Sequence, residues 1–335
     1  MYTGVSNLAS HMQMARTNTQ AKLALNSAGQ EVSSGRKSDL VKATGGDYGP
    51  LFAIERSLTQ LDMRAQTIKN ASAKAAASQL NMENIQTTLA KYGTELLGAV
   101  GIDSQPQAFS IANSARGALD RMVSALNTQY GGQSLFAGAG VDGPAVVDAA
   151  TMYADITALT LAAPDSVTAI AAIDDYFFNP VGGFATTGFT GSTLNAPGAE
   201  LADGEVVDYS LRGDDLSIRQ ALRNVAMAAV AANGDHGGSN FDGMNMLREA
   251  AIGAISTQDG LTGLREGLGH VEQQIDTAAA RNSAESTTFE INRNAILAAD
   301  PYEAATRFQA LEGQMEAIYL MTSRLSSMRL QNYLR

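Results

Sequence analysis

Two stretches of this chain, residues 51–130 and 261–325, place apolar or small residues at alternating gaps of three and four over many turns. Such spacing keeps one seam of a helix facing a neighbour, so it predicts long paired helices and leaves no room for a large sheet. In the first stretch the seam reads Leu51, Ile54, Leu58, Leu61, Ala65, Ile68, Ser72, Ala75, Gln79, Met82, Gln86, Leu89, Gly93, Leu96 and Val100, and it resumes from Phe109 to Tyr130. Near the other end it reads Leu261, Leu264, Leu268, Val271, Ile275 and Ala278, then Phe289, Asn292 and Ile296. A last run holds Ala304, Phe308, Leu311, Met315, Ile318, Thr322 and Leu325. Residues 1–32 add a helix with Leu8, Met12, Ala15 and Thr19 on one face, followed by a shifted set of Ala21, Leu25, Ala28 and Val32. The expected fold is mainly α, with long antiparallel helical rods from both termini in a coiled-coil-like bundle and a small β-containing central insert domain.

Breakers mark where the rods turn. Residues 33–50 read as a loop ending at Pro50, a residue suited to a first helical position. Gly101 to Pro106 interrupts the long seam and predicts a hairpin of helices, the second running to Gly131-Gly132. From 133 to 215 the helical period disappears, leaving helical pieces near 151–160 and 165–176 and a weakly alternating, strand-like run from Gly204 to Leu211. Asp214 or Asp215 is placed to cap a helix over 216–233, and Asp300-Pro301 to kink or restart the last one.

Charge follows the same division. Residues 145–215 carry eleven acidic side chains against Arg212 alone, a balance of −10 out of a total of −11. An acidic module joined to nearly neutral helices is one that faces solvent while the helices pack against copies of themselves, and the balance argues against a nucleic-acid partner. An ordinary solvated acidic surface is the competing reading of that module. The chain has no cysteine, which excludes disulfides and thiolate sites. It has no run of 18 apolar residues, so no membrane insertion is expected, and the first 25 residues lack the pattern of a cleaved Sec signal.

Motifs with a chemical meaning do not hold up. Gly138-Ala139-Gly140-Val141-Asp142-Gly143 spells the dinucleotide fingerprint, but a helix precedes it and Pro144 follows it, where a strand and a helix N-terminus are needed. Arg212-Gly213-Asp214 spells a tripeptide read by integrins, a match of three letters with a cap as the local alternative. His11, His236 and His270 lie far apart with no metal-ligand spacing. The paired acids Asp174-Asp175 and Asp214-Asp215 read as loop and cap positions rather than an acid–base pair. The chain is read as no enzyme, with no cofactor and no metal.

Three segments carry a family resemblance. Val32-Ser33-Ser34-Gly35-Arg36 resembles the L-S-S-G-[KR] segment that follows the first helix in bacterial flagellins and hook–filament junction proteins, with the acidic stretch after it thinned to Asp39 and Asp47. Residues 134–144, Ser-Leu-Phe-Ala-Gly-Ala-Gly-Val-Asp-Gly-Pro, are similar to a segment of the junction family known as hook-associated protein 3. The C-terminus, from Asp300-Pro301-Tyr302-Glu303-Ala304 through Leu330-Gln331-Asn332-Tyr333-Leu334, looks like that family's ending. The resemblance implies a structural component of the flagellum that joins the hook to the filament, and the alternative is a flagellin or minor filament subunit. It implies a secreted, extracellular location at the hook–filament junction. Residues 1–50 and 285–335 would be terminal core helices, disordered before assembly; 51–144 and 216–284 a helical rod; and 145–215 the acidic outward-facing insert. The assembly interface would be carried by Leu8, Met12, Leu25, Phe308, Leu311, Met315, Ile318 and Leu325. Implied partners are further copies of the chain in a ring, the first hook-associated protein, flagellin, the export apparatus and an export chaperone.

Overall fold

The computed structural model describes residues 3–333, with side chains described except at 3–8, 10, 11, 40, 42 and 325–333. Four long helices dominate: α1 (Thr3–Ser34), α3 (Gly49–Gly101), α9 (Asn240–Leu297) and α10 (Pro301–Tyr333). Between them lie α2 (Leu40–Thr44), α4 (Gln105–Ala112), α5 (Ala115–Leu126), α6 (Ala149–Thr160), α7 (Ser166–Phe178) and α8 (Leu216–Asn233). The strands are short: β1 (Gln129–Tyr130) pairs antiparallel with β2 (Gln133–Ser134), and β3 (Ala199–Ala202) with β4 (Glu205–Val207). The chain divides into two compact units, Met1–Asp62 with Ser283–Arg335, and Met63–Asn282.

Aspartates start many of these helices. Asp148 and Asp165 accept the backbone N–H groups of Thr151 and Thr168, Asp215 that of Ser217, and Asp300 those of Tyr302 and Glu303. Asp39 and Asp47 do the same for Val41 and Gly49, opening α2 and α3. Those local bonds hold the carboxyls of Asp148 and Asp165 below the usual carboxylate range, the Asp148 one chiefly through the Thr151 hydroxyl and the Asp165 one through the Thr168 N–H.

The seam of α3 is wider than its periodicity suggests. Leu61, Ile68, Ala75, Met82, Leu89 and Leu96 are buried as expected. The second buried column is Ala71, Ser78, Ile85, Tyr92 and Ala99, three residues further on, not the expected Ser72, Gln79 and Gln86. Those polar residues lie half-buried along the edge of the stripe, where α3 and α9 exchange hydrogen bonds. Gln86 donates to Thr262 at 2.8 Å and accepts from Arg265 at 2.8 Å, while Arg265 also meets Glu83 at 3.3 Å. Gly93 lets the two helices approach closely, since a Cβ there would stand 2.8 Å from that of Ala254.

The core of the Met63–Asn282 unit is built around α8. Every residue from Ala221 to Ala231 is buried, as befits a helix packed on all sides. Leu119 and Met122 of α5, Met152 and Ile156 of α6, Ile173 and Phe177 of α7 and Leu247 of α9 belong to the same cluster. Residues 145–215 therefore share this core with the neighbouring helices, and their content is two helices, a π-type turn at Phe184–Gly188 and one hairpin. That hairpin, β3–β4, covers a second cluster: Ala199, Leu201 and Val207 lie on Ile68, Ala71, Ala75, Leu268, Ile275 and Ala278. Ion pairs flank it, Arg64 with Asp203 and Arg281 with Glu205.

Two readings of the sequence are corrected. The helix expected over 106–130 is two helices broken at Asn113-Ser114, and it ends at Leu126. Gly131 and Gly132 do not close a helix; with φ of 61° and 79° they form the two-residue turn of the β1–β2 hairpin. His236 lies in the loop between α8 and α9, its ring buried where Gly243 leaves room for it beside Phe109.

Candidate assembly surface of the terminal helices

In the unit formed by Met1–Asp62 and Ser283–Arg335, α1 and α10 pack side by side in opposite directions. Gly29 lies against the Phe308 ring, Glu31 meets Arg307 at 3.3 Å, and the Lys22 ammonium sits 5.9 Å from the centre of the Tyr319 ring. What α1 buries is small: Ala21 and Ala28, seven residues apart, together with Glu31. From α10 come Ala304 and Met315. Alanine columns let the two backbones approach closely but remove little apolar area from water.

Several larger apolar side chains point elsewhere. Leu320 is 62% exposed and Tyr302 83% exposed, and Leu23, Val32, Tyr319 and Met321 are exposed too. Met321 lines an open groove of about 670 Å³, together with Ala9, Gln13, Met14 and Thr17 of α1 and Gln314, Ala317 and Ile318 of α10. Covering a Leu or Met side chain is worth about 1.5–3 kcal/mol before the costs of association. The chemistry on offer is helix-to-helix packing.

The turns that join these helices are themselves bonded to each other. Arg36 and Ala298 form an antiparallel bridge in which Lys37 N–H donates to Leu297 O at 2.8 Å and Ala299 N–H to Gly35 O at 2.9 Å. Gly35 takes a φ of 67°, which its neighbours Ser34 and Arg36 would adopt only with strain. Arg36 donates to Asn294 at 3.1 Å, and Ser38 donates to Glu31 through both its N–H and its hydroxyl at 2.9 Å.

Of the interface residues expected from the sequence, Met315 is buried, and Leu25, Phe308, Leu311 and Ile318 are half-buried. Met12 is 55% exposed. The side chains of Leu8 and Leu325 lie outside the described residues. Sequence reasoning missed Glu31 as a buried group; its signal is an acid three residues after Ala28, on the same helix face, next to a Ser-Gly turn. It also gave no weight to Tyr302, Leu320 and Met321, which fall off the intramolecular seam.

The motifs set aside as chemistry have structural uses. At Gly138 (φ 60°) a Cβ would stand 2.4 Å from Leu194 O, and Ala139 N–H donates to that oxygen at 2.9 Å, so the glycines admit a neighbouring strand of chain and cradle no phosphate. Phe136 beside them is fully buried, and its carbonyl accepts from Gly213 N–H at 2.8 Å. Arg212 is bonded to Asp214 at 2.8 Å. Asp174 accepts from Arg223 at 2.6 Å and Asp175 from Asn179 at 2.8 Å. Among the described residues no group of three or more His, Asp or Glu side chains could hold a metal ion.

The bacterial flagellin N-terminal helical region matches residues 5–140, and the bacterial flagellin C-terminal helical region matches residues 240–334. The chain belongs to the flagellin-like family. It is similar in fold to Bacillus cereus FlgL, at 14% identity with 72% of this chain and 100% of that chain covered and a TM-score of 0.52. It is similar also to a putative flagellar hook-associated protein from Vibrio parahaemolyticus, at 12% identity, 73% and 94% coverage and a TM-score of 0.50. No curated protein matches by sequence. Flagellin-like proteins self-assemble into extracellular flagellar polymers, so this chain is a flagellar structural component.

Proposed function

We propose that this protein joins the hook to the filament, forming a ring by packing its terminal helices against those of neighbouring copies, with the first hook-associated protein on one side and flagellin on the other. The observation that carries the reading is the thin apolar contact of the α1–α10 pair: Ala21, Ala28, Ala304 and Met315 are buried, while Leu23, Leu320, Met321 and Tyr302 stay exposed. A pair built that way is incomplete as a monomer and is completed by other helices. Segments this weakly nucleated pass the flagellar export apparatus unfolded, with a chaperone to cover them, and order on assembly. Leu8, Met12, Leu25, Phe308, Leu311, Met315, Ile318 and Leu325 act in that interface. Residues 145–215 face outward, away from the tubular core.

The test is deletion of the gene, followed by electron microscopy of the cells and assay of the medium. Cells that keep hooks and shed flagellin support the junction role. Hooks bearing filaments of normal length sink it and make the chain a minor filament subunit, whose abundance in purified filaments then rises above that of a ring.

A further inference from the structure

Methionine divides between the two units by exposure. In Met63–Asn282 the side chains of Met82, Met122, Met152, Met227 and Met246 are closed to solvent and Met244 is buried, which leaves Met63 at 59%. Among the described side chains of the terminal unit the order is reversed. Met12 is 55% exposed and Met321 58%, Met14 is half-buried, and Met315 alone is inside. Met14 of α1 and Met321 of α10 line one groove with Ile318. An unbranched, polarisable side chain suits such a surface, because it adapts to whatever packs on it. The chain has no cysteine and no tryptophan, so its thioethers are the groups that a mild oxidant meets first. A sulfoxide replaces an apolar side chain by a polar one with a strong acceptor oxygen. In an open groove that oxygen stays hydrated, whereas under a neighbouring helix it must shed its water. Oxidation there leaves the isolated subunit folded and opposes the packing step.

We propose that Met14 and Met321 form an oxidation site on the assembly face: hydrogen peroxide converts them to sulfoxides in the free subunit, and the modified subunit is refused by the polymer. The inference rests on the α1–α10 face being the one that assembles, but not on whether its neighbours are junction or filament proteins. In the reaction the sulfur lone pair attacks one peroxide oxygen, so that an S–O bond forms and the O–O bond breaks. The displaced hydroxide takes the proton from the new S–OH group and leaves as water; the sulfur is oxidised and the peroxide reduced. Methionine sulfoxide reductases reverse the change.

The purified full-length protein is first treated with dilute hydrogen peroxide and mapped by mass spectrometry. Met14 and Met321 should reach sulfoxide at least about ten-fold faster than Met82, Met122, Met152, Met227 and Met246, with the near-ultraviolet circular dichroism unchanged. Cells lacking the gene then receive the parent and Met14→Leu/Met321→Leu together, and their sheared flagella regrow with and without peroxide. Both chains meet the same stress, so damage to other flagellar parts cancels in their ratio. Without peroxide the two should enter isolated flagella equally; with it the variant should outnumber the parent several-fold. Met63→Leu, which removes an exposed methionine outside the groove, should gain no such advantage. The proposal is overturned if peroxide leaves the ratio unchanged or if Met63→Leu is protected equally. It is overturned too if sulfoxides at Met14 and Met321 are as frequent in parent chains inside flagella as in those outside, a comparison that needs no variant. Absence of the parent from untreated flagella would refute the assembly reading itself, and this inference with it.

Discussion

At Gly253 an added Cβ would stand 2.3 Å from Asn224 Oδ1, inside a buried network in which Asn224 accepts from Arg223 at 3.0 Å and donates to Thr257 at 3.2 Å. Gly253→Ala should therefore destabilise the Met63–Asn282 unit by about 1–3 kcal/mol despite the better helix propensity of alanine, as a fall in its urea midpoint. Asp242 shows a titration effect instead. Its carboxylate is held well below the usual range, first by the Ser239 hydroxyl at 2.7 Å, then by the N–H groups of Ser166 and Ser239, each at 2.9 Å. Because the folded value lies below the unfolded one, this stabilisation is present above about pH 4 and is lost as pH falls through the folded value. Thermal midpoints should drop between pH 6 and pH 2 in the parent, and more shallowly in Asp242→Asn.

At the scale of elements, the β3–β4 hairpin is a strap across α3 and α9, held by Leu201 rather than by its ion pairs. Leu201 is fully buried, so Leu201→Ala should cost about 2–5 kcal/mol. Asp203 is almost wholly exposed, and removing Arg64 should cost about 1 kcal/mol or less. Hydrogen exchange in Leu201→Ala should speed up near Ile68–Ala75 and Leu268–Ala278 and stay unchanged in α8. The strands themselves were visible in the sequence only as the run from Gly204 to Leu211, yet the hairpin starts at Ala199, because its inward residues include an alanine and its register carries a bulge. The helices were far more legible, since their period is written over many turns and their starts are marked by Asp148, Asp165, Asp215 and Asp300. The choice of second column in α3 was not. Ser72, Gln79 and Gln86 keep the same alternation of gaps as Ala71, Ser78 and Ile85, and only the positions of neighbouring helices decide between them. The α4–α5 break had no Gly or Pro to announce it. In the candidate surface Phe308, Leu311, Met315 and Ile318 follow the period and were readable. Leu320 and Tyr302 were not, because they fall outside a seam defined within one chain.

For the whole molecule, charge and apolarity divide along the same line. The unit formed by Met1–Asp62 and Ser283–Arg335 holds 11 basic and 11 acidic side chains, so the entire net charge of −11 falls on Met63–Asn282. A neutral segment with an uncovered apolar face can pack closely against copies of itself, and a charged one with a closed core stays in solvent. A fragment of residues 63–282 should accordingly be folded and monomeric by circular dichroism and light scattering. The measurement that bears most directly on assembly through the termini is made on Ile318→Asp, which puts a charge into the groove beside Met14 and Met321. The account predicts that the variant is exported with the core around α8 intact by near-ultraviolet circular dichroism, and that it is missing from isolated flagella. Flagella that carry the variant at the parent's abundance, with filaments attached, would contradict it.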